Sequence, residues 1–224
     1  MTDKRFTIAI DGPGGAGKST VAAEIAKQLG ILHLDTGAMY RAFAYQALLE
    51  GISPDDEPGL SRLAERIALS VAFENGAQRT MVYGQDVSGL IRTPEISLAA
   101  STCSKAGDVR KLMVRMQREL SKTQSIVLDG RDIGTKVLPD ATLKVYLTAS
   151  PEVRAKRRWD ELIQKGCPAD FQQVLSDVIA RDHQDSTRAI DPLRPAEDAV
   201  VIDTTKLSRQ QVVQAVLKQL EARV

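Results

Sequence analysis

A glycine-rich segment near the N-terminus has the residue types and spacing of a phosphate-binding loop. Glycines let backbone N–H groups approach phosphate oxygens without hindrance from a Cβ atom, and the N-terminus of a following helix adds partial positive charge. Lys18 is expected to reach the β- and γ-phosphates of ATP, and the Ser19 hydroxyl to bind Mg²⁺. The alternative is an ordinary βα turn in which Lys18 is a solvated residue. Residues 12–19 read GPGGAGKS and match G-x-x-x-x-G-K-[S/T], so the residues expected to contact ATP are Gly12, Pro13, Gly14, Gly15, Ala16, Gly17, Lys18, Ser19 and Thr20.

Charged residues also follow two apolar runs, at positions where parallel strands would end at the ligand-binding edge of an open α/β sheet. Asp35 ends one run. Asp129 ends the other, which is the placement of a Walker-B acid near Mg²⁺, and Arg131 and Asp132 follow after one glycine. Helix capping is the alternative role for Asp129 and Asp132. A surface ion pair is the alternative for Arg131 and for Arg41.

Three arginines cluster on a predicted helix. Arg154, Arg157 and Arg158 are spaced i, i+3 and i+4, where like charges repel by a few tenths of a kcal/mol per pair. A bound triphosphate would offset this repulsion. Neighbouring acidic residues on a solvated helix face could offset it equally, so that interpretation stays open.

A second charged cluster lies farther along the chain. Arg181, Asp185 and Arg188 are spaced i, i+4 and i+7, which is one face if the helix persists that far. Arginine suits bidentate phosphate binding, and a carboxylate suits the hydroxyls of a ribose.

The predicted secondary structure places these residues on an α/β framework. Helices and strands alternate along the chain, which favours a parallel sheet of about five strands with right-handed crossovers. Two β-like runs in the middle, 70–74 and 79–83, are separated by Asn75-Gly76 and predict a hairpin. Strands are predicted at 6–10, 31–34, 125–128, 143–147 and 199–202, and helices at 18–29, 38–49, 60–69, 109–120, from 151 onward, at 171–179 and at the C-terminus.

Composition narrows the class of protein. The 224 residues include 30 Lys+Arg and 29 Asp+Glu, a net charge of +1, which argues against a protein that coats nucleic acid or an anionic membrane. Two cysteines form neither a disulfide framework nor a metal cluster. With no signal-peptide or membrane-spanning run, the expectation is a cytoplasmic monomer that contacts small molecules and neither nucleic acid nor membrane.

Six segments, spread over nearly the whole chain, together match one known family: IDGPGGAGKST (10–20), LDTGAMYR (34–41), VSGLIRT (87–93), LDGRDIGT (128–135), ARDHQDSTRAIDPL (180–193) and PAEDAVVIDTT (195–205). They resemble the bacterial cytidylate kinases, a family of nucleoside monophosphate kinases. The segments LDTGAMYR and LDGRDIGT are far more specific than the phosphate loop.

This resemblance implies a single domain with the three-layer α/β fold of P-loop kinases. Its parallel core would comprise about 1–59, 104–150 and 186–224. An inserted subdomain that binds the nucleoside monophosphate would lie at about 60–103, and a short lid at about 151–185. The lid arginines Arg154, Arg157 and Arg158 would close on ATP.

The resemblance also implies roles for individual residues on the acceptor side. Ser101, Arg110 and Asp132 would recognise cytosine, and Arg181 and Asp185 would contact the sugar. The acceptor phosphate would be held by Arg41, Arg131 and Arg188. The remaining substrate-binding residues would be Asp35, Thr36 and Tyr40, and the catalytic residues Lys18, Asp129, Arg131 and Arg188.

The implied reaction is transfer of the γ-phosphoryl group of ATP to CMP or dCMP, with Mg²⁺ held by Ser19 and Asp129. Some relatives carry Gly-Thr where this chain has Ser19-Thr20, so another group could supply the Mg²⁺ hydroxyl. A P-loop kinase for another small acceptor, such as UMP, shikimate or dephospho-coenzyme A, is the alternative. A nucleotide-dependent switch is disfavoured, because the chain has no guanine-reading N-K-x-D segment.

Overall fold

The computed structural model describes residues 5–74 and 76–224. Asn75, which the sequence places in the hairpin turn, lies outside the described residues. The strands are β1 (Thr7–Asp11), β2 (Leu32–Asp35), β3 (Leu69–Glu74), β4 (Ala77–Val82), β5 (Gln85–Asp86), β6 (Ile126–Asp129), β7 (Leu143–Thr148) and β8 (Val200–Asp203). The helices are α1 (Lys18–Leu29), α2 (Thr36–Leu49), α3 (Glu57–Arg66), α4 (Pro94–Cys103), α5 (Gly107–Ser121), α6 (Pro151–Gln164), α7 (Phe171–Thr187) and α8 (Arg209–Glu221), with a π-helical turn at Ile133–Val137.

The main sheet has five strands in the order β2-β6-β1-β7-β8. Strand β7 pairs in parallel with β1 and with β8, as the alternation of strands and helices predicts. The three central residues of β1, Ile8, Ala9 and Ile10, are apolar and fully buried, which is typical of a central parallel strand. The predicted α/β class with about five parallel strands is confirmed.

The chain divides into two compact units. The first contains the residues up to Gly30 together with Val127–Val224, and the second is Ile31–Ile126. In the first unit, α1 buries Val21 and Ile25 one turn apart and packs on α8. It ends at Gly30, whose φ of 65° suits a residue without a Cβ atom.

The second unit contains the predicted hairpin. Strands β3 and β4 pair antiparallel from Leu69–Val82 to Glu74–Ala77, and the two-residue strand β5 completes a three-stranded sheet. Helix α4 was not predicted. Thr93 caps it by accepting a hydrogen bond from the N–H of Ile96 at 3.2 Å, and Pro94 occupies its first turn.

Several predicted boundaries differ from those in the structure. The helix predicted at 60–69 runs from Glu57 to Arg66, because Asp56 caps it and β3 begins at Leu69. The helix predicted at 171–179 continues to Thr187, so Arg181 and Asp185 share one helix, whereas Arg188 follows its last residue and lies outside the predicted face. In the described part of the chain, no helix is both long and apolar enough to cross a membrane.

Candidate active site

The phosphate loop connects β1 to α1 in the first unit. Gly12, Gly15 and Gly17 have φ angles of 143°, 76° and 91°, which side chains with a Cβ atom rarely adopt. A Cβ atom at Gly12 would lie 1.9 Å from the carbonyl oxygen of Leu147. Helix α1 begins at Lys18 after Gly17, which provides no side-chain cap. The first N–H groups of the helix are therefore oriented for an anion.

Lys18 is buried inside this loop. Its side chain is 6% exposed, and its Nζ donates to the carbonyl oxygen of Pro13 at 2.8 Å. Burial, reinforced by the positive charge of Arg131, lowers the pKa of Lys18 well below its ordinary value. The alternative of a solvated first-turn lysine is therefore wrong. An anionic ligand bound beside Lys18 would stabilise its charged form and oppose this lowering of the pKa.

Ser19 and Asp129 lie side by side at the start of α1. The Ser19 hydroxyl donates to Oδ2 of Asp129 at 2.6 Å, and Asp129 is 3% exposed. The described residues contain no group of three or more His, Cys, Asp or Glu that could enclose a metal ion. One hydroxyl and one carboxylate match the way Mg²⁺ is held when phosphates and water complete its coordination.

Arg131 and Asp185 form a partly buried ion pair, in which the Arg131 side chain is 20% exposed and that of Asp185 5%. Nε of Arg131 donates to Oδ2 of Asp185 at 2.9 Å, and Nε of Arg181 lies 3.9 Å from the same oxygen. Burial alone would raise the pKa of the Asp185 carboxyl, but the positive charges of Arg131 and Arg181 outweigh it and the pKa is lowered. The surface ion pair considered for Arg131 is thus a partly buried pair with Asp185. The spacing of Arg181 and Asp185 on α7 does bring them together.

Asp132 and Arg188 also meet in the first unit. Nη2 of Arg188 lies 3.5 Å from Oδ1 of Asp132, and their side chains are 6% and 8% exposed, respectively. Nε of Arg188 donates to the carbonyl oxygen of Asp191 at 2.7 Å, which fixes the guanidinium. Asp132 precedes the π-helical turn but makes no side-chain cap bond to it. The capping alternative for Asp132 is therefore wrong.

Arg154 contacts the phosphate loop from α6. Its Nη1 donates to the carbonyl oxygen of Gly14 at 3.0 Å, and its Nε to that of Ala149 at 2.9 Å. The same guanidinium pairs with both carboxylate oxygens of Asp182 on α7. Arg154 is 3% exposed. It links the loop to the helix that carries the Arg181–Asp185 pair.

The other two arginines of the predicted cluster differ from each other. Nη1 of Arg157 donates to the carbonyl oxygen of Gly15 at 3.2 Å, and Nη2 to that of Thr204 at 2.9 Å. Arg158 instead pairs with Glu161 at 3.3 Å on the surface of α6. Arg154 and Arg157 therefore contact the phosphate loop, whereas Arg158 lies on the solvated helix face that was the alternative interpretation for the cluster.

In the second unit, Asp35 caps α2. Its Oδ1 accepts from the N–H of Ala38 at 3.0 Å, and its Oδ2 from Nη2 of Arg41 at 2.8 Å. Gln78 on β4 holds the Asp35 backbone, since its Oε1 accepts from the Asp35 N–H at 2.8 Å. The Arg41 side chain is 20% exposed. The surface pair considered for Arg41 is thus a partly buried pair with Asp35.

Further residues assigned to the acceptor side lie on α2, α4 and α5 of the second unit. The Arg110 guanidinium lies 6.0 Å from the centre of the Tyr40 ring and donates to the carbonyl oxygen of Ser104 at 3.3 Å. Ser101 and Arg110 are 7% and 2% exposed. Thr36, the first residue of α2, is buried as well. Buried arginine and serine side chains of this kind suit recognition of a polar ligand.

Sequence reasoning missed three residues that support these groups: Asp11, Gln78 and Asp182. Asp11 ends β1 directly before Gly12, so the rule that singled out Asp35 and Asp129 at strand ends would have found it. Nothing in the local pattern marks Gln78 or Asp182, because their partners are distant in sequence.

A parallel α/β sheet, a phosphate loop with a buried lysine and an adjacent serine–aspartate pair define a nucleotide-binding protein of the P-loop kinase class. Residues 8–222 match the family model described as "Cytidylate kinase". The chain belongs to the cytidylate kinase family.

Curated cytidylate kinases align with this chain over nearly its full length. The chain is 49% identical to a cytidylate kinase of Caldicellulosiruptor bescii over 96% of its own length and 95% of the relative's. It is 49% identical to that of Halalkalibacterium halodurans over 99% and 100%, and 45% identical to that of Bacillus subtilis over 98% of both chains. Among solved structures, an uncharacterized protein from Eubacterium ventriosum gives a TM-score of 0.53 at 15% identity, covering 98% of this chain and 100% of that one. That likeness concerns the fold alone.

Proposed function

We propose that this protein transfers the γ-phosphoryl group of ATP to CMP or dCMP, giving ADP and CDP or dCDP. Membership of the cytidylate kinase family supports the reaction and the acceptor class. The observation that carries the proposal is the concentration of positive charge in the first unit. Arg131 and Arg181 lie close enough to Lys18 to lower its pKa. Such a cluster is stabilised by a polyanion.

Phosphoryl transfer to a nucleoside monophosphate needs no general base, because the attacking phosphate oxygens are already anionic. Catalysis then depends on in-line positioning and on neutralising charge around the transferred group. We assign the γ-phosphate of ATP to Lys18 and the loop N–H groups. We assign the acceptor phosphate to Arg131, Arg188 and Arg41.

Mg²⁺ would be held by the Ser19 hydroxyl and the Asp129 carboxylate, whose oxygens are 2.6 Å apart. When bound, the ion neutralises charge on the β- and γ-phosphate oxygens. The protein's own contribution is to place these two oxygens at the start of α1 and to keep Asp129 buried.

Recognition of cytosine is assigned to Asp132 in the first unit and to Ser101 and Arg110 in the second. A carboxylate accepts a hydrogen bond from the cytosine 4-amino group, whereas uracil presents a carbonyl oxygen there. The sugar hydroxyls are assigned to Arg181 and Asp185. The acceptor-binding insert at about 60–103 and the lid at about 151–185 stay predictions.

A coupled assay of ADP release over CMP, dCMP, UMP, AMP and GMP tests the function. We expect kcat/KM for CMP and dCMP to exceed that for UMP by about tenfold to a hundredfold, since a good base contact gives ~1–3 kcal/mol of discrimination. Asp132→Asn keeps the shape but adds an N–H donor that suits uracil. It should lower kcat/KM for CMP and raise kcat/KM for UMP, so that the ratio of the two values falls.

Asp140→Asn is the matched control, because Asp140 is exposed in the same unit. It should leave the ratio unchanged. Equal kcat/KM for CMP and UMP in the unaltered protein would refute the base assignment, and faster transfer to another acceptor would refute the proposed substrate.

A further inference from the structure

A buried carboxylate that the proposed reaction does not use lies directly before the phosphate loop. Asp11 is the last residue of β1 and is 4% exposed. Its Oδ1 accepts from the backbone N–H of Ile133 and its Oδ2 from that of Gly134, each at 2.7 Å. One side chain therefore joins the end of β1 to the start of the π-helical turn.

The segment between β6 and this turn is held by β1 at both ends. At its start, the N–H of Gly130 donates to the carbonyl oxygen of Ile10 at 3.0 Å. At its end, Asp11 receives the two N–H groups. Between the two attachments lie only Arg131 and Asp132. We call residues 130–134 the clamped segment.

The contact also depends on how closely Gly134 approaches Asp11. A Cβ atom at Gly134 would lie 3.3 Å from Oδ2 of Asp11 and 3.2 Å from Cδ of Lys144. These distances leave little room for a side chain. The backbone is thereby brought within reach of the carboxylate.

Only an ionised carboxylate satisfies both donors. Burial raises the pKa of Asp11 to about 6, against the lowering effect of the two backbone hydrogen bonds, so the carboxylate is mostly charged at neutral pH. An amide in its place would present one acceptor and one N–H₂ group. One backbone N–H would then face another donor and stay buried without a partner.

We infer that Asp11 is a positioning residue for phosphoryl transfer: it fixes the clamped segment and thereby the directions of Arg131 and Asp132. This inference rests on the proposed function, which assigns those two side chains to the acceptor phosphate and the base. Displacement of such groups by about 1 Å costs up to a hundredfold in rate. Release of the segment should therefore impair acceptor use and base discrimination together.

The experiment compares Asp11→Asn with Val216→Ala. Val216 is fully buried on α8, which packs on α1 and β7, so its truncation destabilises the same unit while leaving Asp11 and the clamped segment unaltered in sequence. Amide hydrogen exchange is measured over residues 130–134, and kcat and KM are measured for CMP, UMP and ATP. Gly134→Ala is a second variant, whose added methyl group crowds the contact between Gly134 and Asp11 but leaves the Asp11 carboxylate in place.

In Asp11→Asn we expect faster exchange at Ile133 and Gly134. We also expect a drop of about tenfold to a hundredfold in kcat/KM for CMP and a smaller CMP-to-UMP ratio, with KM for ATP nearly unchanged. Gly134→Ala should show the same pattern more weakly, and Val216→Ala should show none of it.

Exchange that is unchanged in both segment variants would overturn the inference. So would a loss of activity with the CMP-to-UMP ratio intact, because that pattern indicates a stabilising role only. Should the unaltered protein not phosphorylate CMP, the proposed function fails, while the exchange data still decide whether Asp11 holds the segment.

Discussion

Replacing Gly12 by alanine tests how closely the phosphate loop is built against β7. The added Cβ atom would lie 1.9 Å from the carbonyl oxygen of Leu147 and 3.0 Å from its carbonyl carbon. Reaching an ordinary contact distance requires the two backbones to separate by about 1 Å or more. Gly12 follows the β1–β7 pairing, whose last pair is Asp11–Tyr146, so this shift would strain the end of that ladder.

Two contributions set the expected loss in the free energy of unfolding. The backbone at Gly12, with φ of 143°, costs a residue with a Cβ atom about 1–3 kcal/mol. Loss of one or two ladder hydrogen bonds adds about 1 kcal/mol each. We expect Gly12→Ala to lower the free energy of unfolding by about 2–5 kcal/mol and to weaken ATP binding, because the loop must move with it.

Gly30→Ala is the matched control. Gly30 also has a positive φ, of 65°, but an added Cβ atom there would meet nothing within 4 Å. Its substitution should cost about 1–2 kcal/mol and leave ATP binding unchanged. Urea unfolding followed by the fluorescence of the single tryptophan, with titration of a fluorescent ATP analogue, measures both effects. A Gly12→Ala protein no less stable than Gly30→Ala would refute the reasoning.

Two further predictions concern titratable groups. Burial raises the pKa of Asp11 to about 6 from 3.8, so the folded protein holds this proton more tightly than the unfolded chain. The resulting stabilisation is complete below pH 3.8 and is lost as the pH rises through about 6. In urea titrations, the free energy of unfolding of the unaltered protein should fall by about 2 kcal/mol between pH 4 and pH 7 relative to that of Asp11→Asn, and parallel pH profiles would contradict this. Burial likewise raises the pKa of the Cys103 thiol to about 11, whereas Cys167 is exposed. A thiol reagent should therefore label only Cys167 in the native protein and both cysteines in denaturant. Rapid labelling of Cys103 in the native protein would contradict its burial.

Much of the framework could be predicted because the signals are local. The bounds of α1 follow from apolar residues at a helical spacing and a terminal glycine, and the structure has the same bounds, Lys18–Leu29. Helix α4 was missed although Thr93 and Pro94 form a start signal. Its apolar residues are interrupted by serine, threonine and alanine, so its periodicity is weak.

Sequence patterns indicated which charged side chains belong to the site, but not which groups those side chains contact. Arg154, Arg157 and Arg158 are adjacent on α6, yet Arg154 is buried against Asp182 and Arg158 remains on the surface. Helical spacing fixes which side chains share a face but not what packs against that face. The lowered pKa of Lys18 depends likewise on burial and on the charges of Arg131 and Arg181, which are remote in sequence.

Helix α7 constrains which changes of chain length the protein can accept. It carries Asp182, which binds Arg154, and Asp185, which binds Arg131, and it ends directly before Arg188. One residue inserted between Asp182 and Asp185 would rotate Asp185 and everything beyond it by about 100°, so the Asp182–Arg154 and Asp185–Arg131 pairs would no longer form at the same time. The exposed connection at 165–168 has no such partners to keep in register. Natural variation in length should therefore accumulate before α7 begins, and be absent from the stretch between Asp182 and Arg188.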